Sequence, residues 1–280
     1  MEFVKLIGPF GTVFIMFCLG LHLSYEDFFK IIKKPNDLIV GLITQILLLP
    51  IIGLAIIHVY PMRPEFQLGV FLLLILPSAV MSNYSTKLVD GNVALSITLT
   101  SLAALFSFIT IAIYLNLFSL IFAAENFNLN LIAFSIKIFL FISLPTLLGI
   151  FLRNKFPNYI IPKKFALDRA ALIVFMFIIL YAIYTERFNL GQYFRDTGLI
   201  SFSIAFSIVL VVYLMTSIFI NEKGSQRAIR IEALLQNGAM GIVVGAQIFD
   251  SLIYITPIAI YALVQYIFLM FYIINVKMKD

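Results

Sequence analysis

Glu232 stands in a helix-length stretch, Gln226–Phe249, that has no other acid before its end, and it is followed by Gln236-Asn237-Gly238. A second stretch, Phe66–Val89, is interrupted by Pro77-Ser78-Ala79-Val80-Met81-Ser82-Asn83. Ser96 and Thr100 follow at a spacing of i, i+4, which puts both hydroxyls on one helix face. Gln45 lies shortly before Pro50. Carboxylate, amide and hydroxyl oxygens suit a hard cation rather than a thiolate-seeking metal. A carboxylate inside a bilayer is costly and marks function by default. Without a protein cation it is either protonated or holds a bound cation. Arg230, two positions away, points elsewhere on a helix, and Lys87 lies nearer a span end. Enzyme chemistry would need a nucleophile–base pair or a metal pair at this level. One carboxylate, with no buried histidine and no cysteine beside it, does not provide that. The single cysteine, Cys18, excludes an internal disulfide, and two histidines exclude a His-rich metal site.

The elements that must position these groups follow from composition. Of 280 residues, 62% are hydrophobic and only 12% charged, against about 25% charged in soluble domains. Soluble, disordered, collagenous and coiled-coil classes are thereby excluded, and an all-α polytopic membrane protein remains. Nine apolar runs read as transmembrane helices: Phe3–Leu23, Asp37–Tyr60, Phe66–Val89, Asn92–Ala123, Asn130–Phe151, Phe165–Tyr184, Gly198–Ile220, Gln226–Phe249 and Ser251–Val276. The first is too long for a signal peptide and lacks a small-residue cleavage site. Ser24–Pro35 mixes phenylalanine, isoleucine and lysine and reads as a short interfacial helix or a basic loop.

Nine spans put the termini on opposite sides. Lys5, Arg63, Arg187 and Arg195 share the side of the N-terminus. Fourteen cations, from Lys30 to Lys279, fall on the other, and Lys137 lies within the fifth run. The cation-rich side is cytoplasmic, so the N-terminus is outside and the C-terminus inside. The net charge of +5 thus reports orientation rather than a nucleic-acid partner. Lys137 is expected to snorkel outward. His22 and His58 are expected at the interface, Cys18 as lipid- or core-facing filler, and Pro50 and Pro145 as kinks.

At 1.5 Å per residue, sequence position gives depth from the cytoplasmic end. Gln45 lies roughly 12 Å deep, Ser82 and Asn83 roughly 9–10 Å, Ser96 and Thr100 roughly 6–12 Å, Glu232 roughly 9 Å and Gln236 roughly 15 Å. Four helices therefore present oxygens at one level. The interrupted third and eighth runs are five helices apart and enter from opposite sides, the geometry of an inverted repeat with broken helices. Direct alignment of the halves is poor. Interrupted helices would also free backbone carbonyls, as in transporter Na⁺ sites.

Three stretches resemble the bile acid:sodium symporter family. They are Pro77 to Asn83 with the downstream Gly91-Asn92-Val93-Ala94-Leu95-Ser96 and Thr100, Glu232 with Gln236-Asn237, and Gln45 before Pro50. The resemblance implies a nine-helix member with a panel and a core domain and two crossing broken helices. It treats residues 1–280 as one transporter domain. Residues 3–123 and 130–276 would be the repeat halves, the first lacking one helix. It implies one Na⁺ site at Ser82, Asn83, Ser96, Thr100 and Glu232. A second would use Gln45, Glu232 and Gln236 with the backbone oxygens of Ala233 and Leu235. Asn83 and Asn237 would face substrate. The family usually reads Pro-Gly-Gly-Thr-Ala-Ser-Asn, so this chain lacks the glycines, and Val80 lacks a hydroxyl near the expected substrate.

The resulting expectation is a Na⁺-coupled secondary transporter of an organic anion, bile-acid-like or a small carboxylate, in the cell membrane. Proton coupling through Glu232 is the nearest alternative. An intramembrane enzyme or a receptor fits less well, because helices three and eight carry polar interruptions. No protein or nucleic-acid partner is implied.

Overall fold

The computed structural model describes residues 2–33, 35–60, 62–122, 130–248 and 254–279. The described residues form fifteen α-helices with short π and 3₁₀ turns and no named strand. α1 is Glu2–Gly20 and α2 is Tyr25–Ile32. Within the Ser24–Pro35 segment, Tyr25–Ile32 is thus a helix, fastened at its start where Asn154 Oδ1 accepts from the Tyr25 amide at 2.8 Å. α3 (Pro35–Ile43), a π turn (Thr44–Leu48) and α4 (Leu49–Val59) make one continuous run. α5 (Pro64–Leu74) and α6 (Val80–Leu88) are separated by an irregular segment, and α7 (Val93–Phe122) is unbroken. α8 (Leu131–Ile138), a second π turn (Phe139–Ser143) and α9 (Leu144–Lys155) again run together. A short α10 (Pro157–Ile160) and a 3₁₀ turn lead into α11 (Lys164–Glu186) and α12 (Leu190–Phe219). α13 (Lys223–Leu234) and α14 (Gly238–Ile248) are the second interrupted pair, and α15 (Thr256–Lys279) closes the chain.

Five continuous helices among the described residues are long and apolar enough to cross a membrane: Pro35–Val59, Val93–Phe122, Ile132–Lys155, Leu190–Phe219 and Thr256–Met278. The other expected runs correspond to α1, to α11 and to the two interrupted pairs, whose halves are each too short to span alone. α12 begins eight residues before the expected Gly198, because the polar turns around Arg195 and Asp196 continue the helix beyond its apolar part. Residues 123–129 and 249–253, where expected helix ends fall, lie outside the described residues.

The two prolines do not simply kink their helices. Pro50 has no N–H for the carbonyl four residues back. The chain widens into a π turn before it, and the freed Ile46 carbonyl accepts the Tyr114 hydroxyl at 2.5 Å. The same sequence of π turn, leucine and proline recurs at Pro145.

α1 packs on α9 and α11, and α12 packs on α13, α15 and α4. Where α1 meets α9, Gly20 and Gly149 face each other, and a Cβ on either would strike backbone of the other helix. Gly149→Val is therefore expected to push α1 and α9 apart. Overpacking of this kind costs about 1–3 kcal/mol. A lower melting temperature in detergent checks it, and an unchanged one would mean the crossing is looser than drawn.

Candidate functional site: a buried carboxylate at the meeting of two broken helices

Pro77 and Asn237 mark where these two helices break. Proline lacks an amide hydrogen and disfavours helical backbone at the residue before it, so α5 ends just ahead of Pro77. Asn237 caps the first turn of α14, its Oδ1 accepting from the Met240 amide at 3.0 Å. The two irregular segments then meet in an antiparallel bridge between Ser78 and Gln236. The Ala79 amide donates to the Leu235 carbonyl at 3.1 Å. Unpaired backbone is tolerated at membrane depth only where protein satisfies it, and each break here supplies part of the other's partners. The remainder comes from α15. Gln265 Oε1 accepts from the Gln236 amide at 2.9 Å, and its Nε2 donates to the Gln236 carbonyl at 3.1 Å.

Glu232 sits one turn before that bridge, at the end of α13, and is 2% exposed. Four hydroxyls converge on it. Ser82 donates to Oε1 at 2.5 Å and Thr100 to Oε2 at 2.7 Å, while Ser96 reaches Oε1 and Ser78 reaches Oε2. Ser96 also donates to Asn83 Oδ1 at 2.8 Å. The five residues expected at the first ion site are thus brought together from α6, α7 and α13. Ser78, which spacing alone did not nominate, joins them, and Thr86 donates to Ser96 at 3.3 Å from one turn further along α6. All four contacts to the carboxylate are neutral, so hydrogen bonding satisfies it without cancelling its charge. The nearby arginines are turned away. Arg230 donates to Thr216 and Ser217, both at 2.8 Å, and stacks on Tyr213. Arg227 donates to the Val89 carbonyl at 2.8 Å.

Gln45 and Gln236 are also buried. Gln45 Oε1 and Nε2 and Gln236 Oε1 have no hydrogen-bond partner, and neither does Asn83 Nδ2. A buried amide oxygen without a donor is costly and is available to a cation. Gln236 Nε2 donates to the Ala233 carbonyl at 3.0 Å. Ala233 and Leu235 oxygens therefore each already accept one hydrogen bond, and a carbonyl has a second lone pair. The donors gathered here are carboxylate, hydroxyl and amide oxygens, a set that suits a hard cation.

Val80 and Asn237 line a cavity of about 20 Å³ on the far side of the bridge, facing α1 and α11. That is room for about one or two waters. Asn83 stays on the Glu232 side. His22 is not an exposed interfacial residue. Its Nε2 donates to Asp168 at 2.7 Å, and the two side chains are 10% and 11% exposed. The close α1–α11 packing draws the ring inward to a carboxylate that the linear sequence keeps 146 residues away. His58 is exposed beside Phe122, Lys137 is exposed on α8, and Cys18 is buried in the core.

Comparison with known proteins gives one family match and three relatives. The profile of the Sodium Bile acid symporter family matches residues 9–193. The Bacillus subtilis protein named YocS, an uncharacterised sodium-dependent transporter, is 27% identical over 253 residues, covering 88% of this chain and 76% of its own. The probable sodium/metabolite cotransporter BASS1 of Arabidopsis thaliana chloroplasts is 23% identical over 250 residues, covering 89% of this chain and 61% of its own. The human sodium-dependent organic anion transporter is 24% identical over 238 residues, covering 81% and 60% respectively. The chain thus spans about three fifths of the length of the plant and human relatives.

Proposed function

The chain belongs to the sodium bile acid symporter family, and from that premise we propose that it is a Na⁺-coupled symporter of a small organic anion working by alternating access. It is a transporter and not an enzyme. The observation that carries the coupling is the buried Glu232, met by hydroxyls from α6, from α7 and from the break before α6. An ion arriving there would take the hydroxyl and carboxylate oxygens as ligands and neutralise the one buried charge. Ser82, Asn83, Ser96, Thr100 and Glu232 would hold one Na⁺. Gln45, Glu232 and Gln236 would hold a second, together with the Ala233 and Leu235 carbonyls. The partnerless oxygens of Gln45 and Gln236 support that second set.

In this reading nine spans form two inverted halves, with the N-terminus outside the cell membrane and the C-terminus in the cytoplasm. α1, α8, α9 and α11 would form a panel, and the remaining spans a core that carries the crossed breaks. Substrate would bind between them beside Asn237 and Val80, with Asn83 behind them on the Glu232 side, as a bile-acid-like acid or a smaller carboxylate. The relatives' names, an organic anion transporter and a metabolite cotransporter, support an anion of either size. Ordering of the breaks by Na⁺ would favour substrate binding, and substrate would favour Na⁺ to the same degree.

Proton coupling is the second reading. Each of the four hydroxyls both donates and accepts, so a protonated Glu232 would also sit well among them.

Na⁺ is expected to raise the melting temperature of the purified protein where K⁺ and choline at equal ionic strength do not. A ligand that binds only the native state stabilises by about 2.7 kcal/mol at a hundred times its dissociation constant. Superimposable melting curves in the three salts would remove Na⁺ from the function.

A further inference from the structure

Asp168 is the one carboxylate in the lining of the cavity beside the crossed breaks, and among the described lining residues there is no lysine or arginine. The rest of that lining is apolar apart from Tyr84 and Asn237. Asp168 belongs to α11 and is gripped from its own wall by His22, in the turn that follows α1, at 2.7 Å. From the opposite wall, the Tyr84 hydroxyl of α6 comes within interacting reach of the same carboxylate. With both in place the cavity measures only about 20 Å³, far below the 300–1,000 Å³ typical of a ligand pocket. An organic anion can enter only if the α6 wall and the α11 wall separate. That separation carries Tyr84 away from Asp168 and leaves His22 behind.

A carboxylate accepts hydrogen bonds and donates none. Once Tyr84 has withdrawn, Asp168 keeps the His22 bond on Oδ1, and its second oxygen faces the opened cavity as an acceptor that a donor there would satisfy. Resting on the transport reading above, we propose that Asp168, positioned by His22, is a substrate-specificity residue that accepts a hydrogen bond from a hydroxyl or ammonium group of the transported anion. Tyr84 holds that place while the cavity is closed. The substrate class is then a hydroxy- or amino-substituted carboxylate. Its anionic group belongs at the Asn237 end of the cavity, where the start of α14 favours negative charge. An acid without a donor on its body leaves the cavity-facing oxygen of Asp168 unmet and binds more weakly, as sites built to hydrogen-bond a ligand group disfavour analogues that lack it.

The test uses the purified full chain in saturating Na⁺, with propionate, lactate and alanine as one probe set and their longer branched-chain counterparts as another. Melting temperature is read against probe concentration. In the wild type, the hydroxy or amino member of a set is expected to stabilise at about ten- to a hundredfold lower concentration than the unsubstituted acid, the ratio a charge-assisted hydrogen bond supplies. Asp168→Ala should lose that ratio while keeping the shift caused by Na⁺ alone. Tyr84→Phe removes the internal competitor and leaves Asp168 intact. It should bind the substituted acids a few-fold more tightly and the unsubstituted ones no better. A merely structural cluster would weaken all probes together in both variants. Equal response of the wild type to all three members, no response to any of them, or an unchanged ratio in Asp168→Ala overturns the proposal. Tyr84→Phe decides the matter if Asp168→Ala does not fold. A wild type without any Na⁺ shift strikes the sodium-coupling reading itself, a separate failure.

Discussion

Glu232→Gln is expected to abolish Na⁺-driven uptake into liposomes and the Na⁺-dependent rise in melting temperature together. The substitution keeps the shape of the side chain and removes its charge. The fold should survive it, because serine and threonine hydroxyls can reorient to donate to the new Oε1 and accept from the new Nε2. The melting temperature in choline is therefore expected to stay near that of the wild type. What disappears is the anion. A unit charge about 4 Å from another is worth about 4 kcal/mol at an effective dielectric of 20, or roughly a thousandfold in affinity. Ser96→Ala removes one neutral oxygen from one of the two proposed sites and should cost about tenfold, the order of one ordinary hydrogen bond. The two variants should thus rank in that order, with Glu232→Gln far the worse. Proton coupling makes a different forecast. Uptake driven by a pH gradient would be present in the wild type and lost in Glu232→Gln, and Na⁺ would matter in neither. Normal Na⁺-driven uptake by Glu232→Gln defeats the assignment of Glu232 as an ion ligand.

The part of this site legible in the sequence is the part held by side chains on regular helices. Ser82, Ser96, Thr100 and Glu232 stand at similar depth along their runs because helical rise is fixed, and all four meet. Ser78 was harder to read. It lies on irregular backbone within the break, where rise per residue is no guide, yet its hydroxyl reaches both Glu232 and Thr100. The apolar runs located the helices for a related reason, since hydropathy reports which backbone is shielded from water. Hydropathy could not report the π turns, which depend on where the carbonyl freed by Pro50 finds the Tyr114 hydroxyl. His22 and Asp168 lie far apart in sequence and near the ends of their runs. End position suggested exposure, and only the packing of α1 on α11 reverses it.

Gln265 escaped the sequence reading altogether, although a lone amide in the apolar run Ala262-Leu263-Val264-Gln265-Tyr266 was a signal of the same kind as Gln45. Its partners are backbone atoms, so no spacing with another polar side chain gives it away. It takes both polar groups of Gln236 as a neighbouring strand would. The bridge to Ser78 lies on the same residue, and Glu232 is one turn away. Gln265→Leu keeps the volume roughly constant and strips both contacts. The Gln236 N–H is then buried without a partner, at about 1–3 kcal/mol, and its C=O keeps only the Gly238 amide at 3.0 Å. The chain can relieve this only by moving the break, which carries the Gln236 side chain and the Leu235 carbonyl with it. Loss of melting temperature is therefore expected in choline as well as in Na⁺, in contrast to Glu232→Gln. The additional stabilisation by Na⁺ should shrink in the same variant, because the proposed second ion site loses its geometry. Gln265→Glu separates the two effects. It retains an acceptor for the Gln236 amide, loses the donor for the carbonyl, and should fall between the wild type and Gln265→Leu on both measurements. A Gln265→Leu protein that melts like the wild type and keeps its full Na⁺ shift would show that the break is held by the Ser78 bridge alone.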